Sequence, residues 1–222
     1  MSITKAIGNG AGYILTRLVR MLTLSGVHPN VLTLIGLVVN GVAAWILSRG
    51  EFMYAGVVIL GAAVFDLTDG AVARNANKVT RFGGFLDSVM DRYSDLILLT
   101  GMLVYYAGIN RFGYIVLTAV AMIGSVLISY TRSRAENVIG SCKVGFLERP
   151  ERIVLMIIGT LFNRMAPVLW VIAVLSNLTV IHRIVHTWNE TRKLDELPIA
   201  EANSDGASDP NAANAELQED YR

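Results

Sequence analysis

Four aspartates recur at helical spacing inside a largely apolar part of this chain. Asp66 and Asp69 are three residues apart and Asp87 and Asp91 are four apart, so each pair shares one face of a helix. A carboxylate near a bilayer costs about 2.5–3.5 kcal/mol on an insertion scale, so four together need a compensating charge. Hard divalent cations take carboxylate oxygens as ligands. Two facing helices would converge the four carboxylates on a site for one or two divalent ions.

Small residues and one arginine accompany the aspartates. Gly70, Ala73 and Gly83 keep side-chain bulk away from the carboxylates, which lets a flat or bulky ligand approach the backbone. Arg74 carries a planar fork of donors that suits a phosphate held by the same metals. The alternative interpretation is a set of solvated loop acids flanking a turn. The eight positions taken together favour a metal and phosphate site.

The composition indicates a membrane protein with a polar tail. Of 222 residues, 53% are hydrophobic and 17% are charged. The last segment, 190–222, holds nine acidic and three basic residues, whereas 1–189 holds nine acidic and sixteen basic ones. We expect 190–222 to be disordered because it is acidic and poor in large apolar residues. The single cysteine, Cys142, excludes a disulfide framework within the chain and a cysteine-based metal site.

Apolar runs predict an all-α integral membrane protein with six transmembrane helices. The expected spans are residues 31–47, 53–74, 82–107, 114–130, 152–162 and 166–184. The fifth is shorter than the roughly 20 residues that a span needs. Residues 1–24 alternate apolar and polar groups, which predicts an amphipathic helix lying in the membrane interface. Residues 25–189 then form the transmembrane catalytic domain, and no cleavable signal peptide is expected.

Basic residues predict the orientation of these spans. The three loops on one side hold Arg49, Arg111 and Arg164, and the other side holds fourteen lysines and arginines. By the positive-inside rule the basic side is cytoplasmic, together with both termini and the aspartates. We therefore expect a multi-pass protein of the inner (cytoplasmic) membrane.

A second group of charged residues lies between the fourth and fifth spans. It includes Arg132 and Arg152, and Arg183 lies near the end of the last span. An arginine inside an apolar helix needs an anionic partner. A positive-inside loop would also contain such residues. Several arginines beside a carboxylate metal site instead predict a pocket for a second, phosphorylated substrate.

The aspartate frame resembles the signature of the CDP-alcohol phosphotransferase family, and every signature position is present. It runs Asp66-x2-Asp69-Gly70-x2-Ala73-Arg74-x8-Gly83-x3-Asp87-x3-Asp91. The stretches around Arg132 and Glu148-Arg149-Pro150-Glu151-Arg152 resemble those of the bacterial phosphatidylinositol phosphate synthases within that family. Related glycerophosphate-accepting enzymes share much of the second stretch. The similarity spans about residues 29–183.

The resemblance implies transfer of a phosphatidyl group from CDP-diacylglycerol to a polar alcohol, with release of CMP. Asp66, Asp69, Asp87 and Asp91 would hold two divalent cations, Mg²⁺ first and Mn²⁺ as the alternative, and Asp91 would also act as general base. The CDP donor would contact Asp69, Gly70, Ala73, Arg74 and Gly83. The phosphate of the acceptor, expected to be inositol 1-phosphate, would contact Arg132, Arg152 and Arg183. The resemblance also implies a homodimer, and we expect no nucleic-acid partner.

Other functions remain open at this point. Glycerol 3-phosphate as acceptor would make the protein a phosphatidylglycerophosphate synthase. A membrane cation transporter would also use intramembrane acids, but it predicts acids scattered through the membrane depth and a repeat symmetry. A catalytically silent scaffold would not need all four aspartates.

Overall fold

A computed structural model describes residues 28–75 and 80–205, and for residues 29, 67–75 and 195–205 it describes the backbone alone. Within these ranges the regular secondary structure is entirely α-helical. The helices are α1 (Pro29–Ser48), α2 (Phe52–Asn75), α3 (Arg81–Gly108), α4 (Phe112–Ile139), α5 (Arg149–Leu161) and α6 (Met165–Asp205). The predicted interfacial helix, 1–24, lies outside the described residues.

Each predicted span lies on one of these helices, but two helices are longer than predicted. Helix α4 continues past the apolar run to Ile139, and α6 continues to Asp205, into the segment expected to be disordered. Three segments of the described chain are long and apolar enough to cross a membrane: Asn30–Ser48, Phe112–Ile139 and Met165–Leu194. The apolar part of α2, Phe52–Asp66, is shorter. The count of six spans therefore stays a prediction.

Short turns join the helices at one end of the bundle. The connections after α1, α3 and α5 each contain a residue with positive φ, namely Gly50 (80°), Asn110 (55°) and Asn163 (53°). Glycine and asparagine adopt this conformation readily, and it ends a helix while turning the chain back. The two helices that each of these turns joins therefore run in opposite directions. The connection 140–148, at the other end, is longer and borders the charged residues.

The six helices pack in a closed ring. Its order is α1, α2, α5, α6, α4 and α3, and α3 packs against α1 to close it. All six helices contribute to one apolar core, with Leu47, Ile59, Met102, Met156 and Ile172 among its buried members. These residues come from the ends of the helices that are joined by the short turns. The core therefore fills one half of the ring and leaves the other half for charged residues.

Large apolar side chains cover the outside of the ring. Val38, Trp45, Met53, Phe112 and Trp170 are each more than half exposed. A water-facing surface would not carry so many large apolar groups, whereas lipid accommodates them. The distribution agrees with a membrane protein.

Close packing of α1 and α3 depends on Gly101. A Cβ at this buried position would collide with the backbone of Ala44 on α1. We expect Gly101→Ala to destabilise the protein by about 1–3 kcal/mol, the usual cost of overpacking, despite the better helix propensity of alanine. Thermal unfolding in detergent measures the loss. Gly41→Ala is the control, since a Cβ there meets nothing within 4 Å. Equal melting temperatures for the two variants would contradict this account of the packing.

Candidate active site

Helices α2 and α3 bring the predicted aspartates to the charged half of the ring. Asp66 lies on α2, and Asp87 and Asp91 lie one turn apart on α3. Asp66 and Asp91 contact the same guanidinium group, that of Arg149, so the structure brings together one carboxylate of each predicted pair. Asp69 follows Asp66 by one turn of α2, and its side chain lies outside the described part of the chain.

The small residues of the frame lie at the facing ends of α2 and α3. Gly70, Ala73 and Arg74 are on the last turns of α2, where the structure describes the backbone alone. Gly83 is in the first turn of α3, and its N–H donates to Thr80 Oγ1 at 2.9 Å. A Cβ on Gly83 would stand 2.9 Å from that oxygen and 3.3 Å from Asn30 Oδ1. The absence of a side chain there allows α1 and the start of α3 to meet.

Arg149 links the two aspartate helices. Its Nη2 lies 2.6 Å from Asp66 Oδ2, its Nη1 lies 3.0 Å from Asp91 Oδ1, and its Nε lies 3.8 Å from Asp95 Oδ1. The three nitrogens of one side chain thus face three carboxylates from two helices. A side chain with a rigid, planar fork of donors is suited to such a contact, whereas a lysine offers a single charged nitrogen.

Arg152 is buried one turn further along α5. It is 3% exposed and pairs through Nη2 with Asp95 Oδ2, which is buried as well. Asp95 Oδ1, Arg149 Nε and Arg152 Nη1 are buried atoms without a hydrogen-bond partner among the described residues. Asp95 therefore lies between two arginines of α5. Arg152 therefore contacts Asp95 and does not line the charged cavity described below.

Arg183 is the most deeply buried arginine of the site, at 1% exposure. Its Nε donates to Val144 O at 2.8 Å, its Nη1 donates to Ile128 O at 2.6 Å, and its Nη2 lies 2.9 Å from Glu148 Oε1. Gly145, at φ 147°, lets the connection between α4 and α5 pass close to this side chain. The carbonyl groups fix the guanidinium, and its remaining donors point to Glu148.

Arg132 reaches the same glutamate from α4. Its Nη1 lies 3.0 Å from Glu148 Oε1, and its Nε lies 2.9 Å from Glu136 Oε1. Arg132 and Arg183 therefore share one oxygen of a half-exposed carboxylate. An anion that replaced this carboxylate could accept hydrogen bonds from both arginines.

A cavity of about 470 Å³ opens beside these side chains. Its lining carries more positive than negative groups, and its charged members are Arg92, Arg132, Glu136, Glu148, Arg149 and Arg183. The volume falls within the range of small-molecule sites. The N-terminus of α5 borders it, and the helix dipole at that end favours an anion. The cavity is suited to a phosphorylated molecule, and Arg149 connects it to the aspartates.

Several residues of this site were not predicted from the sequence. Asp95 lies four residues after Asp91 on the same face of α3, and that spacing could have identified it. Gly36 on α1 belongs to the site because a Cβ there would stand 3.0 Å from Asp66 Oδ1. Spacing within one helix could not have identified it, since the contact is between two helices. Arg149 and Glu148 belong to the charged stretch between α4 and α5, where a position at a helix end favours Arg132 and Arg152 instead.

The chemistry of the donor set fits a hard divalent cation. Asp66 on α2 and Asp91 on α3 both contact the guanidinium of Arg149, so carboxylates from two helices converge on one positive group. Mg²⁺ and Mn²⁺ prefer carboxylate oxygens as ligands. Gly36 leaves room for the Asp66 carboxylate beside α1. Among the described side chains no cluster of three or more acidic, histidine or cysteine residues is arranged as a metal cage. The predicted set also includes Asp69, whose side chain is not among them.

Comparison with known proteins identifies the family. Residues 26–187 match the family described as CDP-alcohol phosphatidyltransferase. The chain belongs to the CDP-alcohol phosphatidyltransferase family. It is therefore a transferase with membrane helices, and the match covers all of α1 to α5 and most of α6.

Two relatives from this family share much of the sequence. The chain is 38% identical over 171 residues to the archaetidylinositol phosphate synthase of Pyrococcus horikoshii, covering 77% of this chain and 88% of that one. It is 33% identical over 192 residues to the phosphatidylinositol phosphate synthase of Mycobacteroides abscessus, covering 82% and 87%. The resemblance to the inositol phosphate branch of the CDP-alcohol phosphatidyltransferases is confirmed.

Solved structures of the family share the fold. The phosphatidylinositol phosphate synthase of Mycobacterium tuberculosis with CDP-DAG bound superimposes with a TM-score of 0.73 at 29% identity, covering 79% of this chain and 94% of that one. A structure of the same protein with manganese and citrate gives 0.72 at 30% identity, covering 78% and 88%. The first binds the expected donor, and the second binds a divalent metal.

Proposed function

We propose that this protein transfers the phosphatidyl group of CDP-diacylglycerol to inositol 1-phosphate and releases CMP. The observation that carries the proposal is the cavity lined by Arg132, Arg149 and Arg183, which lies directly beside the aspartates of the family signature. A cationic cavity next to a pyrophosphate site suits an acceptor that is itself anionic. One relative is named for an archaetidyl lipid and the other for a phosphatidyl lipid, but both names contain inositol phosphate. This agreement supports inositol phosphate as the acceptor.

We assign two divalent cations, Mg²⁺ first, to Asp66, Asp69, Asp87 and Asp91. The manganese complex of the M. tuberculosis relative supports a divalent metal in this fold. When bound, such ions neutralise the pyrophosphate and stabilise charge on the entering and leaving oxygens. Asp69, Gly70, Ala73, Arg74 and Gly83 form the proposed contact with the CDP donor. The CDP-DAG complex of the same relative supports that donor.

The reaction is a displacement at phosphorus. The acceptor hydroxyl oxygen forms a bond to the phosphorus that carries the diacylglycerol, and the bond from that phosphorus to the bridging oxygen breaks. CMP leaves with the bonding electron pair. We assign Asp91 as the base that takes the hydroxyl proton, since its Oδ1 lies 3.0 Å from Nη1 of Arg149, a residue that lines the cavity. A positioned general base of this kind contributes roughly 10²–10⁴-fold.

The arginines of the cavity would bind the acceptor phosphate. Arg132 and Arg183 share Glu148 Oε1, and a phosphate offers them a doubly charged partner in its place. Arg152, predicted for the same role, contacts Asp95 and would act from behind the aspartates. Acids gathered at one end of the ring, next to these arginines, favour a transferase over a cation transporter.

The proposal includes an orientation and an assembly. The protein would be an inner-membrane protein with six spans, and the site end of the ring would face the cytoplasm. The turns at the opposite end hold only three basic residues, Arg49, Arg111 and Arg164, and the positive-inside rule places the less basic side outside the cytoplasm. Residues 25–189 form the proposed catalytic domain, and 190–222 is its acidic extension. A homodimer is proposed from the family resemblance.

A product assay tests the acceptor. Purified protein in lipid nanodiscs would receive CDP-diacylglycerol and Mg²⁺ with inositol 1-phosphate, glycerol 3-phosphate or free inositol in separate reactions. We expect a kcat/KM about tenfold higher for inositol 1-phosphate than for glycerol 3-phosphate, and a sharp fall for free inositol, which brings no phosphate to the cavity arginines. Mass spectrometry identifies the lipid, and CMP release gives the rate. Phosphatidylglycerophosphate as the main product would overturn the acceptor and leave the transferase assignment intact.

A further inference from the structure

Arg149 is the one described side chain that both lines the cationic cavity and contacts the signature aspartates Asp66 and Asp91. It begins α5, and about a quarter of its side chain is exposed. Arg132 and Arg183 line the same cavity, but among the described residues their ion pairs are with Glu136 and Glu148. The position of Arg149 therefore differs in kind from that of its neighbours.

The contacts of Arg149 engage one oxygen of each of two carboxylates that are proposed to hold the metal. Its nitrogens lie 2.6 Å from Asp66 Oδ2 and 3.0 Å from Asp91 Oδ1. A divalent cation held by the same carboxylates competes for those oxygens and repels the guanidinium, since both are positive and a few ångströms apart. Loading the site with a divalent cation would therefore weaken both contacts of Arg149.

The released side chain has a place to go. Arg149 Nε lacks a hydrogen-bond partner among the described residues and lies 3.8 Å from Asp95 Oδ1, so the side chain is held mainly by its two terminal nitrogens. Its long, flexible stem starts at the edge of the cavity, beside Glu148 and Pro150. A rotation of the side chain, with α5 in place, moves the guanidinium from the aspartates into the cavity.

We infer that Arg149 couples the metal site to the acceptor site. Without metal it neutralises Asp66 and Asp91, and with metal it becomes an additional ligand for the acceptor phosphate. Metal binding then strengthens acceptor binding, and by thermodynamic reciprocity the acceptor strengthens metal binding by the same factor. The inference rests on the proposed function, and it makes the acceptor site complete only when the carboxylates hold their cations.

Metal affinity tests this inference without turnover. Free Mn²⁺ is measured by electron paramagnetic resonance while the full-length protein in detergent is titrated, with no CDP-lipid present. We expect Arg149→Gln to bind Mn²⁺ about tenfold more tightly than the unaltered protein, a size typical of coupling between sites. Arg132→Gln is the matched control, because it removes a cavity arginine that pairs with glutamates, and its Mn²⁺ affinity should change less than about twofold. Equal or weaker Mn²⁺ binding by Arg149→Gln overturns the inference.

A second arm measures the coupling itself. Inositol 1-phosphate should raise the Mn²⁺ affinity of the unaltered protein and leave that of Arg149→Gln unchanged. An equal increase in both proteins overturns the inference. If glycerol 3-phosphate produces the increase and inositol 1-phosphate does not, the inference stands and the acceptor of the proposed function is wrong.

Thermal unfolding covers a variant that is unstable without metal. Removing Arg149 leaves two carboxylates without their cation, so Arg149→Gln should melt at a lower temperature in chelator and gain more from Mn²⁺ than the unaltered protein does. Arg149→Lys, which keeps a charge but not the fork, should show an intermediate Mn²⁺ affinity. A smaller gain from Mn²⁺ in both variants than in the unaltered protein overturns the inference.

Discussion

Replacing Asp91 by asparagine should reduce CMP release by about 10³-fold or more while the protein remains folded in the membrane. Asparagine keeps the shape of the side chain, and its Oδ1 can still accept from Arg149 Nη1, which lies 3.0 Å from the aspartate oxygen. It is a weaker ligand for a hard cation and cannot take the acceptor proton, and loss of a general base alone costs roughly 10²–10⁴-fold. CMP release from CDP-diacylglycerol at saturating Mg²⁺ measures the effect.

Glu190→Gln is the control for this loss of charge. Glu190 is an acid on α6 that pairs with Lys193 at 2.7 Å on an exposed surface, away from the aspartates. Its loss should leave CMP release and thermal unfolding unchanged. If Asp91→Asn turns over at nearly the rate of the unaltered protein at saturating Mg²⁺, Asp91 is neither the base nor a necessary metal ligand. The same result for Asp69→Asn would contradict the assignment of two metals.

The apolar runs were sufficient to locate the helices. The spans predicted at 53–74 and 82–107 agree within one residue at each end with α2 (Phe52–Asn75) and α3 (Arg81–Gly108). Polar and glycine-containing turns such as that at Gly50 interrupt the apolar pattern sharply, and a reversal of the chain needs them. For α4 the predicted span ends at residue 130, because the run of apolar residues on which the prediction depends ends there. Backbone hydrogen bonding continues to Ile139 and places Arg132 on a helix.

The contacts within the site could not be predicted in the same way. The signature spacing places Asp66 with Asp69, and Asp87 with Asp91, on one face of each helix, which needs only the periodicity of that helix. The partner of Asp66 is 83 residues away in sequence, at Arg149, and the partner of Asp95 is 57 residues away, at Arg152. Which arginine of α5 faces which carboxylate depends on the rotation of α5 against α2 and α3. Side-chain packing in the ring sets that rotation, and no local pattern reports it.

Replacing Arg183 by alanine should lower kcat/KM for the phosphorylated acceptor by one to two orders of magnitude, mainly through KM. Loss of a charge-assisted hydrogen bond costs about 1.5–3 kcal/mol, which corresponds to that range. Binding of CDP-diacylglycerol should barely change. Because Arg183 also donates to Ile128 O at 2.6 Å and Val144 O at 2.8 Å, the variant should also melt at a lower temperature. Initial rates with each substrate varied in turn separate KM from kcat.

Arg132→Ala separates acceptor binding from stability. Arg132 is more exposed than Arg183, and its contacts are with the glutamates Glu136 and Glu148. It should therefore raise the KM for the acceptor while leaving the melting temperature close to that of the unaltered protein. Arg152→Ala should have a different effect, because Asp95 would lose its buried partner. We expect this variant to lower the stability of the fold and to weaken the binding of both substrates. Equal losses for donor and acceptor in Arg132→Ala and Arg183→Ala would assign these arginines to structure, and the cavity would then need another ligand.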